Sequence, residues 1–509
     1  MLNSVDFSGK PFHFIGVGGI GMSALAYILT KRKLPVSGSD IRLNHITQRL
    51  QELGAHIFLS QDASNLEYFQ KNARLETAAT LEKSTELVGI VGGHGGICTA
   101  DPHTLPQVVC STAISTGNAE YKAALDLGCP VFHRSDLLAA LVQASRGIAV
   151  AGTHGKTTTS SLIGYMLLKA GLDPTIVVGG EVSAWEGNAR LGESSLLVAE
   201  ADESDGSLVK FRSEIGVVTN IELDHPDHYS TLDEVIETFQ TFNRQCETLV
   251  GCWDCTVVRD RLKPSISYSL DRDSGADYAV DQVSYRADGT TAQVWERGMA
   301  LGTLKLQLLG RHNLSNALAA VAVGRLLGLD FAAIAEAIAT FDGARRRFEL
   351  RGEVNNIRFV DDYAHHPSEI QATLAAAHLQ VSDRPDRRLI AVFQPHRYSR
   401  TVTFLDEFAQ SFSAADVVIT TDIYSAGEIK EVDISGEQVA EAIAQHHSCV
   451  HYQASLADVR TFLTQTLQPG DLVVFLGAGN LNQVIPDVVA SLQMPPEQVS
   501  VKPNHIADS

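Results

Sequence analysis

The sequence predicts an α/β protein of three domains, and three observations predict it. Its 509 residues exceed what one hydrophobic core usually serves. Short apolar runs of strand length alternate with helical periodicity, the pattern of mostly parallel sheets with helices packed against them. Two strand-to-helix turns, one opening at Gly16 and one at Gly152, are glycine-rich, as a backbone that approaches a phosphate closely must be. The expected domains are 1–144, 145–343 and 344–509.

Each block follows from its own pattern. Residues 12–17 read as a buried strand, followed by a glycine turn and a helix with Met22, Leu25, Ala26 and Leu29 on one face. The second block opens with a strand at 148–151, then a turn and a helix presenting Ile163, Met166, Leu167 and Ala170, which Gly171 stops. Further strands fall at 196–199 and 215–219. After Arg345-Arg346-Arg347 come strands at 357–360, 389–393, 417–420 and 472–476. Between Lys71 and Pro106 the alternation lapses, and the glycines from Gly92 to Gly96 lack both a following Lys-Thr pair and a strand-helix frame. That stretch reads as an inserted surface loop.

Composition narrows the function. Hydrophobic residues make up 44% and charged residues 20%, and no stretch is apolar and long enough to span a bilayer. The opening MLNSVDFSGK has no apolar signal core, so a cytoplasmic location is expected. A formal charge of −20 without a basic patch argues against nucleic acid and anionic membranes as partners. Seven cysteines at irregular spacing suit reduced thiols. Cys252 and Cys255 form a C-x-x-C with no second ligand pair for a structural zinc.

The first glycine turn, Gly16-Val17-Gly18-Gly19-Ile20-Gly21, satisfies G-x-G-x-x-G, and Asp40 follows at the next strand end. By itself it suggests a nicotinamide-dependent dehydrogenase. Glycines and a helix N-terminus accommodate any diphosphate, however, including that of a UDP-sugar.

The second turn is more specific. Gly152-Thr153-His154-Gly155-Lys156-Thr157-Thr158-Thr159 combines backbone donors, a lysine for β- and γ-phosphates and a threonine hydroxyl for Mg²⁺. Its first glycine is shifted from the common phosphate-loop spacing, since Val150 stands five residues before Gly155. Carboxylate ligands are then expected at neighbouring strand ends. Two acidic clusters lie there, one from Glu200 to Asp205 and one from Asn220 to His228. Mg²⁺ prefers oxygen, so Thr157 and Glu200 are the natural ligands, with His225 a less usual third.

Further motifs follow in order: His312-Asn313-Leu314-Ser315-Asn316-Ala317, Arg346-Arg347-Phe348-Glu349, Asp361-Asp362-Tyr363-Ala364-His365-His366-Pro367 and Gln394-Pro395-His396-Arg397-Tyr398-Ser399-Arg400-Thr401. With the Gly-Thr-His-Gly-Lys-Thr-Thr turn, this series closely resembles the Mur ligases over nearly the whole chain outside 71–106. The resemblance implies a Rossmann-like N-terminal domain, a central ATPase of the P-loop type with a mostly parallel sheet, and a Rossmann-like C-terminal domain. It implies ATP and Mg²⁺, with UDP-N-acetylmuramate and L-alanine as substrates. The first glycine turn is thereby reassigned to the UDP-sugar, through Gly18, Gly19, Ile20 and Gly21 with Ser39 and Asp40. Ser111 and Thr112 resemble the family's uridine-side loop. Gln61 stands where the family pattern has a histidine.

By the same carry-over Gly152 to Thr158 hold the nucleotide phosphates, Asn313 meets adenine, and Arg347 and Asp362 lie near the nucleotide. Tyr363, His365, His396, Arg397 and Arg400 surround the amino acid and the acyl phosphate. The implied catalytic set is Lys156, Glu200, His225, His365 and Arg397. Arg397 or Arg400 is expected to pair with the amino-acid carboxylate, and His365 to accept a proton. Two readings from other classes compete. A dehydrogenase on Gly16 to Gly21 leaves the second loop without work, and a regulatory NTPase would turn over ATP without the other substrates. Inside the family, the Asp-Asn-Pro-Arg of diaminopimelate-adding ligases is absent. A recycling ligase that attaches a peptide to UDP-N-acetylmuramate is the nearest alternative, and Tyr363 and the Gly18 to Gly21 turn favour single-alanine addition over it.

Overall fold

The computed structural model describes residues 4–69, 105–382, 384 and 386–493. Its strands form three sheets, one after another along the chain. The stretch read as an insertion lies outside the described residues, apart from Leu105 and Pro106.

β1 (Phe12–Ile15), β2 (Val36–Ser39), β3 (His56–Phe58), β4 (Gln107–Cys110) and β5 (Val131–His133) form a parallel sheet in the order β3-β2-β1-β4-β5. The winding reverses at β1, so a ligand site is expected beyond its carboxyl end. All four β1 residues are buried, as in strands covered on both faces. β1 stops before the expected residue 17 because Gly16 turns to φ +79°. Helix Ile20–Lys31 buries Met22, Leu25, Ala26 and Leu29, the face its periodicity predicts.

The central sheet has ten strands. They are β6 (Arg146–Ala151), β7 (Thr175–Val182), β8 (Gly187–Arg190), β9 (Leu196–Glu200), β10 (Ser213–Val218), β11 (Cys246–Cys252), β12 (Ile266–Ser269), β13 (Tyr278–Arg286), β14 (Gly289–Glu296) and β15 (Met299–Leu306). In the order β15-β14-β13-β12-β11-β10-β6-β9-β7-β8, β6 lies between β10 and β9, parallel to both. The loop after β6 therefore has two strand ends beside it, each carrying one acidic cluster. The antiparallel β13 to β15 meander escaped the sequence reading. β14 alternates buried and half-buried residues, the period-2 signature of a one-sided strand, and so lacks the unbroken apolar run of a strand buried on both faces.

Helix Lys156–Lys169 is wider in its burial than the single face expected of it. It is buried from Thr157 through Leu167, packed between the sheet and helix Arg311–Leu326, whereas Ala170 at its end is only half-buried.

The third sheet holds β16 (Glu349–Val354), β17 (Ile357–Asp362), β18 (Leu389–Phe393), β19 (Val417–Thr420), β20 (Val450–Tyr452) and β21 (Leu472–Leu476), in the order β16-β17-β21-β18-β19-β20. Only β16, at the edge, pairs antiparallel. β17 and β18 flank β21, both parallel to it, so the Asp362 and His396 motifs leave the same carboxyl end of the sheet on either side of it. Sheet one gives way to sheet two between helix Arg134–Gln143 and β6, and sheet two to sheet three between helix Phe331–Ala339 and β16. One apolar cluster runs from Phe12 and Leu29 through Val142 to Ala151 and Phe239, joining the first two sheets.

Candidate active site

β6 ends in a loop that only glycine fits at two points. Gly152 has φ +135° and a Cβ there would lie 2.0 Å from Thr219 Oγ1. Gly155 has φ +82°, and its Cβ would meet Asn316 Oδ1 at 2.6 Å. The loop is bound to the end of β10: Thr153 N donates to Asn220 O at 3.0 Å, and His154 N to Asn220 Oδ1 at 2.8 Å.

Lys156 opens the helix. Its Nζ donates to Gly152 O at 2.7 Å, Thr153 O at 3.1 Å and Glu203 Oε1 at 2.8 Å. Burial pulls its pKa down, but Glu203 and then Asp202 outweigh that and hold it well above the usual lysine range. The ammonium is a permanent charge at the helix N-terminus. Thr157 Oγ1 donates to Glu200 Oε1 at 3.0 Å, and Glu200 Oε2 accepts the Gly179 N–H at 2.7 Å. His225 takes a left-handed φ of +55°, rare for a non-glycine residue and a mark of functional loops. Its Nε2 lies 3.6 Å from Asp224 Oδ2 and 4.0 Å from Glu203 Oε1. Glu203 Oε2 is buried without a hydrogen-bond partner among the described residues. Thr157, Glu200, Glu203 and His225 thus gather around Lys156.

A cleft of about 230 Å³ brings His154, Gly155, Thr158, Asn313, Arg347 and Asp362 together from all the expected nucleotide segments. Asn313 is buried and donates to Leu309 O at 2.8 Å. Arg347 Nη2 lies 3.5 Å from Thr157 Oγ1. Asp362, which accepts N–H groups from Phe348 and Ala364 at 2.8 Å each, is pushed up by burial to a pKa of about 6.

His154 carries a charge of its own. Its Nε2 lies 3.2 Å from Glu222 Oε2 and its Nδ1 3.3 Å from Glu369 Oε1. Burial opposes the imidazolium, yet these two carboxylates overcome it and push its pKa up to about 10. His154, Glu222 and His366 have donor atoms within 4.8 Å of one another, a metal-like spacing. With His154 protonated and His366 Nδ1 accepting the Ser368 N–H at 3.3 Å, however, two of the three lone pairs are already taken. Since the reference histidine pKa is 6.5, the clamp stabilises fully below that pH and fades as pH rises through about 10. The gap in thermal midpoint between wild type and His154→Ala should therefore narrow steadily between pH 7 and pH 10; a constant gap would exclude the ion clamp.

The third sheet supplies the facing wall. His365 is half-buried and held down at a pKa of about 4, chiefly by desolvation. Its Nδ1 lies 2.9 Å from Tyr363 O, an atom that only accepts, so the neutral ring keeps its proton on Nδ1 and its lone pair on Nε2. His396, its ring centroid 5.8 Å away, is likewise neutral, at about 3, by burial. The Tyr363 ring lies under the guanidinium groups of Arg346 and Arg347, at 4.9 Å and 5.2 Å. The two expected carboxylate binders differ. Arg400 is buried and pairs with buried Asp224 through Nε and Nη2, both at 2.9 Å. Arg397, at φ +69°, pairs with Asp227 at 2.6 Å where both side chains are about one-third exposed.

At the first sheet, Gly18 N donates to Asp40 Oδ2 at 2.8 Å, and a Cβ on Gly18 would meet that oxygen at 2.8 Å. Gly19, Ile20 and Gly21 lead into the first helix, with Ile20 exposed. Ser111 and Thr112 follow β4, and Ile114 and Gln61 close in beside Gly16. Ser39 departs from its expected role as a ligand contact. It is fully buried and its Oγ donates to Glu120, because the last residue of β2 points into the core. Its carbonyl instead fixes the turn, accepting from Gly16 N at 2.8 Å and Val17 N at 3.0 Å.

The sequence reading missed Arg134, Glu203, Glu222, Asp224, Asp227 and Glu369 as individuals. Four of them lie inside acidic clusters whose members could not be ranked without geometry. Arg134, near Gly21 and 3.0 Å from Asp202, and Glu369, behind His366, had no signal beyond their helix starts.

Comparison with known proteins gives consistent findings. Three family profiles match in chain order: "Mur ligase family, catalytic domain" over residues 11–146, "Mur ligase middle domain" over 150–324 and "Mur ligase, glutamate ligase domain" over 346–479. The sequence is 66% identical over 500 residues to a UDP-N-acetylmuramate–L-alanine ligase of Nostoc punctiforme, covering 98% of this chain and all of that one. It is 60% identical over 501 residues to the protein of the same name from Synechocystis, covering 96% and 99%. Among solved structures it resembles the UDP-N-acetylmuramate-alanine ligase of Thermotoga maritima, with a TM-score of 0.75 and 25% identity over 95% of this chain and 99% of that one.

Proposed function

The chain belongs to the Mur ligase family, and from that premise we propose that it is an ATP-dependent carboxylate-amine ligase joining L-alanine to the lactyl carboxylate of UDP-N-acetylmuramate. This is the first amino-acid addition in peptidoglycan precursor synthesis, placed in the cytoplasm. The observation that carries the reading is the Lys156 ammonium at the mouth of a glycine-lined helix start, facing a wall of neutral histidines and arginines from the third sheet.

A carboxylate is a poor electrophile, and phosphorylation supplies a leaving group. The lactyl oxygen attacks the γ-phosphorus, the bond to the β-γ bridging oxygen breaks, and ADP leaves. Lys156 and the loop N–H groups stabilise the equatorial oxygens as charge shifts. The hydroxyl of Thr157, the Glu200 carboxylate and the partnerless Glu203 oxygen are hard donors that fit Mg²⁺, with His225 beside them. Mg²⁺, when bound there, neutralises phosphate charge. The amine of L-alanine then attacks the acyl carbon and inorganic phosphate leaves. His365 Nε2 carries the lone pair that takes the amine proton, and its low pKa keeps that lone pair free at neutral pH. Arg397 is the better holder of the alanine carboxylate: its exposed pair with Asp227 exchanges at little cost, whereas Arg400 is locked on Asp224.

Phosphate release measured with UDP-N-acetylmuramate and a panel of amine acceptors tests this. Release should require both substrates and peak with L-alanine, glycine and L-serine trailing by about 1–3 kcal/mol in transition-state affinity. A preference for a tripeptide would establish the recycling reaction instead. ATP turnover that ignores both substrates would sink the ligase reading.

A further inference from the structure

Glu369 takes no part in the chemistry proposed above, yet three segments of the site converge on it. It stands at the third position of helix Pro367–His378, where its Oε2 accepts the His366 N–H at 3.3 Å in a capping box. A cap needs no more than that. The same oxygen also accepts the His365 N–H at 3.0 Å and lies 3.3 Å from His365 Nδ1. The other, Oε1, lies 3.3 Å from His154 Nδ1 and 3.9 Å from Arg347 Nη1. His154 belongs to the loop after β6, Arg347 to the segment joining the second and third sheets, and His365 to the end of β17. The side chain is 13% exposed and borders the nucleotide cleft.

We propose that Glu369 is a positioning residue that couples the nucleotide loop to the amino-acid subsite, one carboxylate oxygen orienting His154 and Arg347 and the other orienting His365. The inference rests on the ligase reading, which supplies the two subsites. Its physical basis is directional. Both imidazoles turn Nδ1 toward Glu369, so the carboxylate fixes the ring plane of each and, with Tyr363 O, leaves Nε2 of His365 facing away with its lone pair. Without it, His154 is held by Glu222 alone and the His365 ring loses one of its two Nδ1 acceptors.

Steady-state kinetics on the full chain, varying each substrate in turn, provide the test. Glu369→Ala should raise KM for ATP and for L-alanine by about tenfold each, the worth of a charge-assisted hydrogen bond, and leave KM for UDP-N-acetylmuramate within about twofold. Glu369→Gln keeps one acceptor oxygen, which the cap and His365 take, and turns its NH₂ to His154. It should restore the alanine KM while the ATP KM stays raised. A residue that only held the helix start would shift all three constants or none. Equal shifts in all three for the alanine variant, or a shift in one alone, overturn the proposal. Should that variant not fold, an unchanged ATP KM in Glu369→Gln overturns it equally. A wild-type chain silent with both substrates condemns the ligase reading instead.

Discussion

Replacing Lys156 with alanine abolishes substrate-dependent phosphate release, with kcat/KM falling by at least about a thousandfold, since preorganised charge at a transferring phosphoryl group supplies on the order of 4 kcal/mol. The size of the effect comes from the setting. The ammonium is confined by two carbonyls of its own loop and by Glu203, so it is already aimed and loses little entropy when phosphates arrive. Its charge is guaranteed by Glu203 and Asp202 against the pull of burial. Alanine also strands Glu203, which is 2% exposed and whose second oxygen already lacks a partner, so some loss of stability accompanies the loss of activity. Phosphate release is therefore read alongside circular dichroism. A folded variant that turns over within about tenfold of wild type removes Lys156 from the chemistry.

Much of this arrangement was legible because parallel α/β sheets write themselves in continuous apolar runs. Strands β18, β19 and β21 coincide with the runs expected for them, and Glu200 closes β9 while the acidic stretch from Asn220 follows β10, on either side of β6, as two acidic clusters after successive strands suggested. What stayed hidden depends on partners distant in sequence. That Arg400 faces inward and Arg397 outward cannot be told from an i, i+3 spacing, because both directions suit a short helix; the difference lies in Asp224 and Asp227, more than 160 residues away. Ser39 misled for a similar reason. A serine before a strand-end aspartate looks like a ligand contact, and only the buried Glu120 from a later helix reveals its inward turn. The tautomer of His365 needed the Tyr363 carbonyl, a backbone atom that side-chain motifs do not report.

Replacing Asp224 with alanine destabilises the junction between the second and third sheets by about 3–5 kcal/mol, the usual penalty for leaving one partner of a buried ion pair without the other. Arg400 is 2% exposed and its guanidinium bonds Asp224 through two nitrogens. Burial penalises the Asp224 carboxylate most, but Arg400 first and the imidazoles of His225, His365 and His366 after it together hold its pKa far below the usual aspartate range, so the pair is ionised throughout the neutral region. Asp227 and Arg397 offer an internal comparison on the same loop and the same short helix. Their contact is closer still, at 2.6 Å, but about one-third exposed, and Asp227→Ala should cost less than about 1 kcal/mol. The contrast separates desolvation from proximity. In the double variant Asp224→Ala, Arg400→Met no charge is left stranded, and most of the lost stability should return. Urea unfolding, followed in the transition that releases the third sheet, gives all four values. Asp224→Ala within about 1 kcal/mol of wild type would mean that Arg400 finds water or another acceptor when Asp224 is gone, and that the two sheets part more readily than their buried pair implies. A large loss that the double variant does not recover would place the cost in packing around Asp224 and not in the stranded charge. His225 follows Asp224 directly and its strained backbone is held in part by that carboxylate, which accepts the His225 N–H at 2.7 Å. The same substitution should therefore slow phosphate release even at temperatures where the chain remains folded, tying the grip of the third sheet to the geometry around Lys156.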